Sequence, residues 1–250
     1  MVNYEILAHE EVAADAKYIV LAGKIAAVPG QFLQVRISET NDPLLRRPLS
    51  VHDCHENSFS LLYRIAGRGT AMLAQKKTGD NLNILGPLGK GFPHTTLPTA
   101  LLVAGGIGVA PLFYLARCLA EKGKKVVFLF GARQAEALYR RRELAEIVSE
   151  LHLATDNGST GLHGPVTELL ESFWEYQVKF EIYACGPALM LQEISRLAAG
   201  HDRDVHVSLE TQLACGVGAC LGCVVADRTQ PGKYFRVCSE GPVFNSKVVF

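Results

Sequence analysis

The sequence predicts a multidomain protein: an antiparallel β-barrel, then a doubly wound α/β domain, then a small C-terminal domain organised by cysteines. Three observations predict it. Short alternating apolar runs, punctuated by Gly and Pro, fill residues 1–98. Strand and helix patterns alternate over residues 99–208. Residues 209–250 then carry Cys215, Cys220, Cys223 and Cys238 in a C-x4-C-x2-C-x14-C spacing.

The barrel runs are Tyr18–Ala22, Phe32–Ile37, Ser58–Arg64 and Asn81–Leu85. Pro29-Gly30, Asn41-Asp42-Pro43, Gly79-Asp80 and Gly86-Pro87 separate them. One helix, Thr70–Lys77, follows Gly67-Arg68-Gly69. Arg46-Arg47-Pro48-Leu49-Ser50 falls between two predicted strands. There an Arg can clamp a pyrophosphate and a Ser can bond a ring heteroatom, although an Arg-Pro pair is also ordinary in loops. Leu62-Tyr63-Arg64 adds an aromatic ring and a second cation. Gly69 and Thr70 open a helix whose free N–H groups suit an anion. Together these features suit a dinucleotide in the barrel.

The α/β series begins with the buried strand Leu101–Ala104 and the helix Ala110–Glu121, with Pro111 in its first turn. The strand Val126–Phe130, a helix near Leu138–Ser149, the strand Leu151–Ala154 and a helix near Val166–Phe173 follow. The strand Glu181–Ala184, the helix Ala188–Ala199 and the strand Asp204–Val207 complete it. Thr99–Ala116 carries no charge, but its three glycines and Pro111 favour strand, turn and helix over a membrane span. Gly105, Gly106 and Gly108 let backbone approach a ligand at a helix N-terminus, or simply make a tight turn. The motif is not G-x-G-x-x-G. Cys185-Gly186-Pro187 ends a second strand, and both turns should face one crevice at the carboxyl ends of the strands. Cys185 fits two readings equally: a buried apolar thiol, or the border of a nicotinamide ring.

The cysteine spacing is that of plant-type 2Fe–2S ferredoxins, with a shorter last interval. Zinc also takes four thiolates, but its usual signature is two C-x2-C pairs. Gly216, Gly218 and Gly222 let a loop wrap a cluster closely. Seven cysteines without a secretory signal suit a reducing compartment, so the cytoplasm is expected. Lys+Arg and Asp+Glu both number 25, which gives no reason to expect nucleic acid or an anionic membrane as a partner. His163, His201 and His206 show no ligand pattern and read as surface or structural.

This order of parts resembles the ferredoxin-NADP reductase-like superfamily. The segments LLRRPLSV (44–51), LLYRIAGRGTAML (61–73), LNILGPLGKGFP (82–93), LLVAGGIGVAPL (101–112), YACGPALM (183–190) and LACGVGACLGCVV…VCSEGPVF (213–244) resemble, within it, the dihydroorotate dehydrogenase B electron-transfer subunit family. The resemblance implies FAD on Arg47, Pro48, Leu49, Ser50, Leu62, Tyr63, Arg64, Gly69 and Thr70. It implies NAD on Gly105, Gly106, Gly108, Cys185 and Gly186, and the cluster on the four cysteines. In many superfamily members an aromatic covers the flavin where this chain has Leu49. The resemblance further implies a partner, an FMN-containing catalytic subunit that oxidises dihydroorotate, in a heterotetramer of two of each chain. Electrons would pass from that FMN through the cluster and FAD to NAD⁺. The three predicted domains leave no segment for an FMN-binding (β/α)₈ barrel, which alone needs about 250 residues.

Three other readings use the same residues. One is the electron-transfer subunit of a different flavoprotein complex, of NADP-linked ferredoxin oxidoreductase or sulfhydrogenase type. Another is a self-sufficient NADH-dependent reductase, and the third a redox-sensing scaffold around a structural metal. Arg133 and Tyr139-Arg140-Arg141-Arg142 can read a 2′-phosphate or form a solvated basic face; the resemblance favours NAD.

Overall fold

The structure is a computed structural model that describes residues 1–174 and 179–250. Strands β1 (Val2–Ala13), β2 (Ala16–Ala22), β3 (Phe32–Arg36), β4 (Arg47–Cys54), β5 (Ser58–Arg64) and β6 (Asn81–Leu88) close an antiparallel barrel in the order β1-β2-β5-β4-β3-β6. Alternation sends Leu33, Val35, Leu49, Val51, Phe59 and Leu61 inward as its core. Three features differ from expectation. Strand β1 was not expected, because Glu5, Glu10 and Glu11 blur its pattern and Ile6 is its one fully buried residue. Arg47–Ser50 lies in strand β4 and not between strands. Pro48 is accommodated there opposite Gln34, in a strand whose Leu49 and Val51 fill the core. Helix α1 (Arg68–Leu73) is shorter than the expected Thr70–Lys77 and starts two residues earlier.

The second domain is one sheet. Its parallel strands are β7 (Thr99–Gly105), β8 (Lys125–Ala132), β9 (Glu150–Thr155), β10 (Leu162–His163), β11 (Phe180–Cys185) and β12 (Val205–Ser208), ordered β10-β9-β8-β7-β11-β12. The order reverses between β7 and β11, so the switch point lies there. Helices α2 (Val109–Glu121) and α3 (Arg141–Ile147) pack on one face, where Leu102, Phe128 and Phe130 point. Helices α4 (Val166–Glu171) and α5 (Ala188–Gly200) pack on the other, against Leu101, Val103 and Leu129. The uncharged Thr99–Ala116 stretch is strand, turn and helix, and among the described residues no helix is long and apolar enough to cross a membrane.

The C-terminal segment holds the hairpin β13 (Val224–Ala226) and β14 (Tyr234–Arg236), then α6 (Val237–Glu240) and β15 (Val243–Asn245). Strand β15 adds to the large sheet antiparallel to β12, pairing Phe244 with Val207. The cysteine segment is thereby fastened to the α/β domain at its far end.

Helix α2 joins the two large domains. Arg117 Nε donates to Asp53 Oδ1 at 2.8 Å and Nη2 to the Cys54 carbonyl at 2.7 Å. Tyr114 donates to the Ala27 carbonyl at 3.1 Å. The buried His52 ring meets the Ala110 carbonyl through Nδ1 at 3.0 Å, so Nδ1 carries the proton. This docking sets the outer face of β4 and β5 against the carboxyl ends of β7 and β11.

Candidate functional site

A cleft of about 1020 Å³ opens between the barrel and the α/β domain. Pro48, Leu49, Ser50, Leu62, Tyr63, Arg64 and Thr70 line it from the barrel side. Leu49 is mostly buried and packs within the barrel core. Tyr63 is held from behind: its hydroxyl meets His9 Nε2 at 3.0 Å, and His9 Nδ1 meets the Lys76 carbonyl at 2.7 Å. Burial lowers the His9 pKa and raises that of Tyr63, so the imidazole stays neutral and accepts the phenol proton's hydrogen bond. Arg47 and Gly69 lie behind the lining. A Cβ on Gly69 would fall 2.1 Å from Arg47 Nε, so the missing side chain lets the guanidinium rest on the first turn of α1.

Gly105, Gly106, Cys185 and Gly186 line the opposite wall. The two turns are adjacent because Cys185 is in register with Ala104 across β7 and β11. Gly108 does not line the cleft. A Cβ there would lie 2.1 Å from the Cys185 carbonyl oxygen, so Gly108 is what lets the two turns touch. Gly106 has φ +53° and open space in front of it, the form of a backbone cradle for phosphate at the entry to α2. The Cys185 thiol is buried, and that burial, with Glu210 nearby, pushes its pKa up; it stays a neutral thiol beside Ser208.

Sequence reading missed Ser208, Glu210 and Thr211, which line the cleft just after β12. The rule that ligands gather at carboxyl ends of parallel strands could have found them. Glu210 is reachable from solvent, yet the enclosing walls raise its carboxyl pKa while Arg64 opposes the shift. Thr211 Oγ1 is buried without a hydrogen-bond partner, a donor left for whatever fills the cleft. Arg133 and Tyr139 also line the cleft. Arg140 is neither phosphate reader nor solvated face: its guanidinium sits 4.0 Å from the Tyr18 ring centroid. His206 bonds Glu181 at 2.8 Å, and His201 stacks on Trp174; both are structural.

The four cysteines form two linked pairs. Cys220 N donates to Cys215 Sγ at 3.4 Å, and Cys238 N donates to Cys223 Sγ at 3.4 Å. Gly218 N reaches Cys238 Sγ at 3.1 Å. Positive φ at Gly216 (+73°) and Gly218 (+81°) folds the loop so that these N–H groups turn inward. Two thiol pairs suit two irons, two thiolates each. Backbone N–H groups of Val217 and Cys220 push the Cys215 thiol down to about 6, whereas burial and Cys223 push Cys238 up. Cys223 and Cys238 are buried while Cys220 is exposed.

A family model described as the iron-sulfur cluster binding domain of dihydroorotate dehydrogenase B matches residues 210–250. One described as an oxidoreductase NAD-binding domain matches residues 102–196. The chain is 42% identical over 252 residues to the dihydroorotate dehydrogenase B (NAD(+)) electron transfer subunit of Bacillus caldolyticus, covering 96% of this chain and 95% of that protein. It is 40% identical to the protein of the same name from Listeria monocytogenes, covering 98% and 97%. A solved structure of the NADH-dependent reduced ferredoxin-NADP oxidoreductase superposes with a TM-score of 0.88 at 30% identity, over 100% of this chain and 90% of that one. The ferredoxin reductase of carbazole 1,9a-dioxygenase shares the fold, with a TM-score of 0.70 at 21% identity over 82% of this chain and 68% of that one.

Proposed function

This chain belongs to the family of dihydroorotate dehydrogenase B electron-transfer subunits, and from that premise we propose how its residues serve electron transfer to NAD⁺ in pyrimidine biosynthesis. Its cofactors are FAD and a 2Fe–2S cluster, with NAD as the substrate, and oxidation of dihydroorotate takes place on a catalytic partner subunit. The partner carries FMN, two copies of each chain assemble into a heterotetramer, and the complex works in the cytoplasm.

Nicotinamide exchanges electrons in pairs and a 2Fe–2S cluster singly; FAD supplies the exchange between the two modes. The cleft residues divide the binding between them. Arg47 and Arg64 supply positive charge for the flavin's pyrophosphate, with the α1 turn at Gly69 and Thr70. Pro48, Leu49 and Ser50, with Leu62 and Tyr63, position the ring; the His9 bond keeps Tyr63 from swinging. Gly105 and Gly106 cradle the NAD phosphates, and Gly108 and Gly186 hold the Cys185 turn against them. Cys185, as a neutral thiol, places a small uncharged wall where a nicotinamide must slide in. Glu210 stands at the cleft wall, its carboxyl pKa raised by the enclosing walls against the pull of Arg64. Cys215, Cys220, Cys223 and Cys238 hold the cluster.

One observation carries this reading. The cysteine segment starts on the cleft wall, where Glu210, Thr211 and Leu213 line the cavity, and reaches the surface at Cys220. It thus spans the path from the flavin site to the exterior. The exposed side chains Val217 and Leu221, which flank Cys220 in sequence, and Val224 and Tyr234 on the hairpin offer apolar surface for the catalytic partner.

The test is purification from native cells, with the co-eluting chain identified by mass spectrometry and orotate formation assayed with NAD⁺. A stoichiometric FMN-containing (β/α)₈ partner and NAD⁺-dependent orotate formation are expected. A different flavoprotein in that place would overturn the proposal.

A further inference from the structure

One buried side chain is left without a partner at both polar ends. Gln34 on β3 is fully buried, and neither Nε2 nor Oε1 has a hydrogen-bond partner. Among the described residues no other has two such atoms. Burial strips an amide of water, so buried amides are normally paired.

The location is specific. Leu33 and Val35 point into the barrel, which puts Gln34 on the outer face of β3 with Phe32. Phe32 lines the cleft, and so does Pro48, the register partner of Gln34 on β4. From the other side the cluster loop presses on the amide: a Cβ on Gly216 would fall 2.7 Å from Gln34 Nε2. Gly216 directly follows Cys215. Gln34 is therefore wedged between the flavin wall and the cluster loop.

The chemistry of the loop decides which end of the amide is used. Its backbone donors already aim at the thiols of Cys215, Cys223 and Cys238. A cluster held by those thiols presents sulfur, which only accepts. The NH₂ end is the half of the carboxamide that such a surface can satisfy. Ser239 Oγ, another buried atom without a partner, stands beside the same loop, 2.8 Å from where a Cβ on Gly218 would sit.

We infer that the Gln34 carboxamide donates a hydrogen bond to sulfur on the Cys215 side of the cluster, and that through it the flavin-binding barrel raises the cluster's reduction potential. A donor to sulfur favours the more negative, reduced state, so its loss lowers the potential. Gln34 is a positioning and tuning residue, and this role rests on the cluster assignment above.

The test is an EPR-monitored redox titration of the intact complex, wild type against Gln34→Met, which keeps length and removes the donor. Equal iron and FAD content is expected, with the cluster about tenfold harder to reduce, a shift of ~59 mV for a one-electron couple. The flavin potential should stay where it is. An unchanged cluster potential at full iron content overturns the inference. If Gln34→Met loses iron, the chain with Gln34 retained is labelled with amide-¹⁵N glutamine in a Gln212→Glu, Gln230→Glu background, which removes both glutamines of residues 209–250. Pulsed EPR of its reduced cluster should then show a ¹⁵N coupling; its absence overturns the inference. A wild-type complex with no 2Fe–2S signal at all would instead sink the cluster assignment and this role with it.

Discussion

His52 makes the domain junction sensitive to acid. It is fully buried against Tyr18 and Phe113, and burial, with Arg140 nearby, pushes its imidazole down to about 3. The unfolded chain protonates this ring near pH 6.5. Between roughly pH 6.5 and 3 the unfolded state therefore binds a proton that the folded state refuses. Stability must fall as pH drops through that window, by about 1.4 kcal/mol per pH unit from this group. His9, also lowered, acts in the same direction. Urea unfolding at pH 6.5, 5.5 and 4.5 should show a shallower pH slope for His52→Phe than for wild type. Parallel slopes would refute the assignment, whatever the variant's absolute stability. Gly108 tests the other wall at the same scale. Its added methyl in Gly108→Ala meets backbone, the Cys185 carbonyl, which cannot rotate away. A loss of about 1–3 kcal/mol is expected, as for overpacking elsewhere. NADH binding should weaken while the cluster's absorption stays unchanged, and thermal unfolding with NADH titration measures both. An unaltered NADH affinity would mean that the two turns need not touch.

At the scale of elements, β15 is the clasp of the cysteine segment. Phe244 pairs across β12 and packs its ring 5.5 Å from that of Phe235 on the hairpin. It also lies over Gly241, where a Cβ would come within 2.2 Å of its ring. One side chain thus ties the large sheet, the hairpin and the turn after Cys238. Phe244→Ala should cost about 3–5 kcal/mol and loosen the ligand loop. Iron retained after desalting and the thermal midpoint should both drop; full iron retention would show that β15 does not secure the cluster. The same elements explain what sequence reading could reach. Strand β7 is buried on both faces and reads as an unbroken apolar run, so it and α2 were legible. Strand β15 is three residues whose burial comes from β12, distant in sequence, and no local pattern announces such a strand. Strand β1 hid behind its glutamates because one face of it is solvated. Cysteine spacing is a local signal, and for that reason the sequence alone can propose a ligand set. Glu210, Thr211 and Gln34 matter through what the fold brings to them, so their identities alone said nothing.

For the whole molecule, the cysteine segment ends among exposed apolar side chains. Val217 and Leu221 flank the exposed Cys220 in sequence, and Val224 and Tyr234 stand exposed on the hairpin that follows, an apolar rim open to a partner. Tyr234 is the anchor to test. It stands on the hairpin, away from the ligand loop, and is 60% exposed. A large aromatic that becomes buried in a contact often supplies more than 1 kcal/mol when truncated. Tyr234→Ala should therefore weaken association with the catalytic subunit about tenfold, or ~1.4 kcal/mol. The same variant should oxidise NADH with an artificial acceptor at the wild-type rate, since the cleft and its cofactors are untouched. Separating the two readouts is what makes the test sharp. Lost association with intact NADH oxidation places the partner on this rim. Unchanged association moves the docking surface elsewhere and leaves the rim unexplained. A fall in both would mean that the hairpin supports the cluster itself, and the iron content of the purified variant would show it directly.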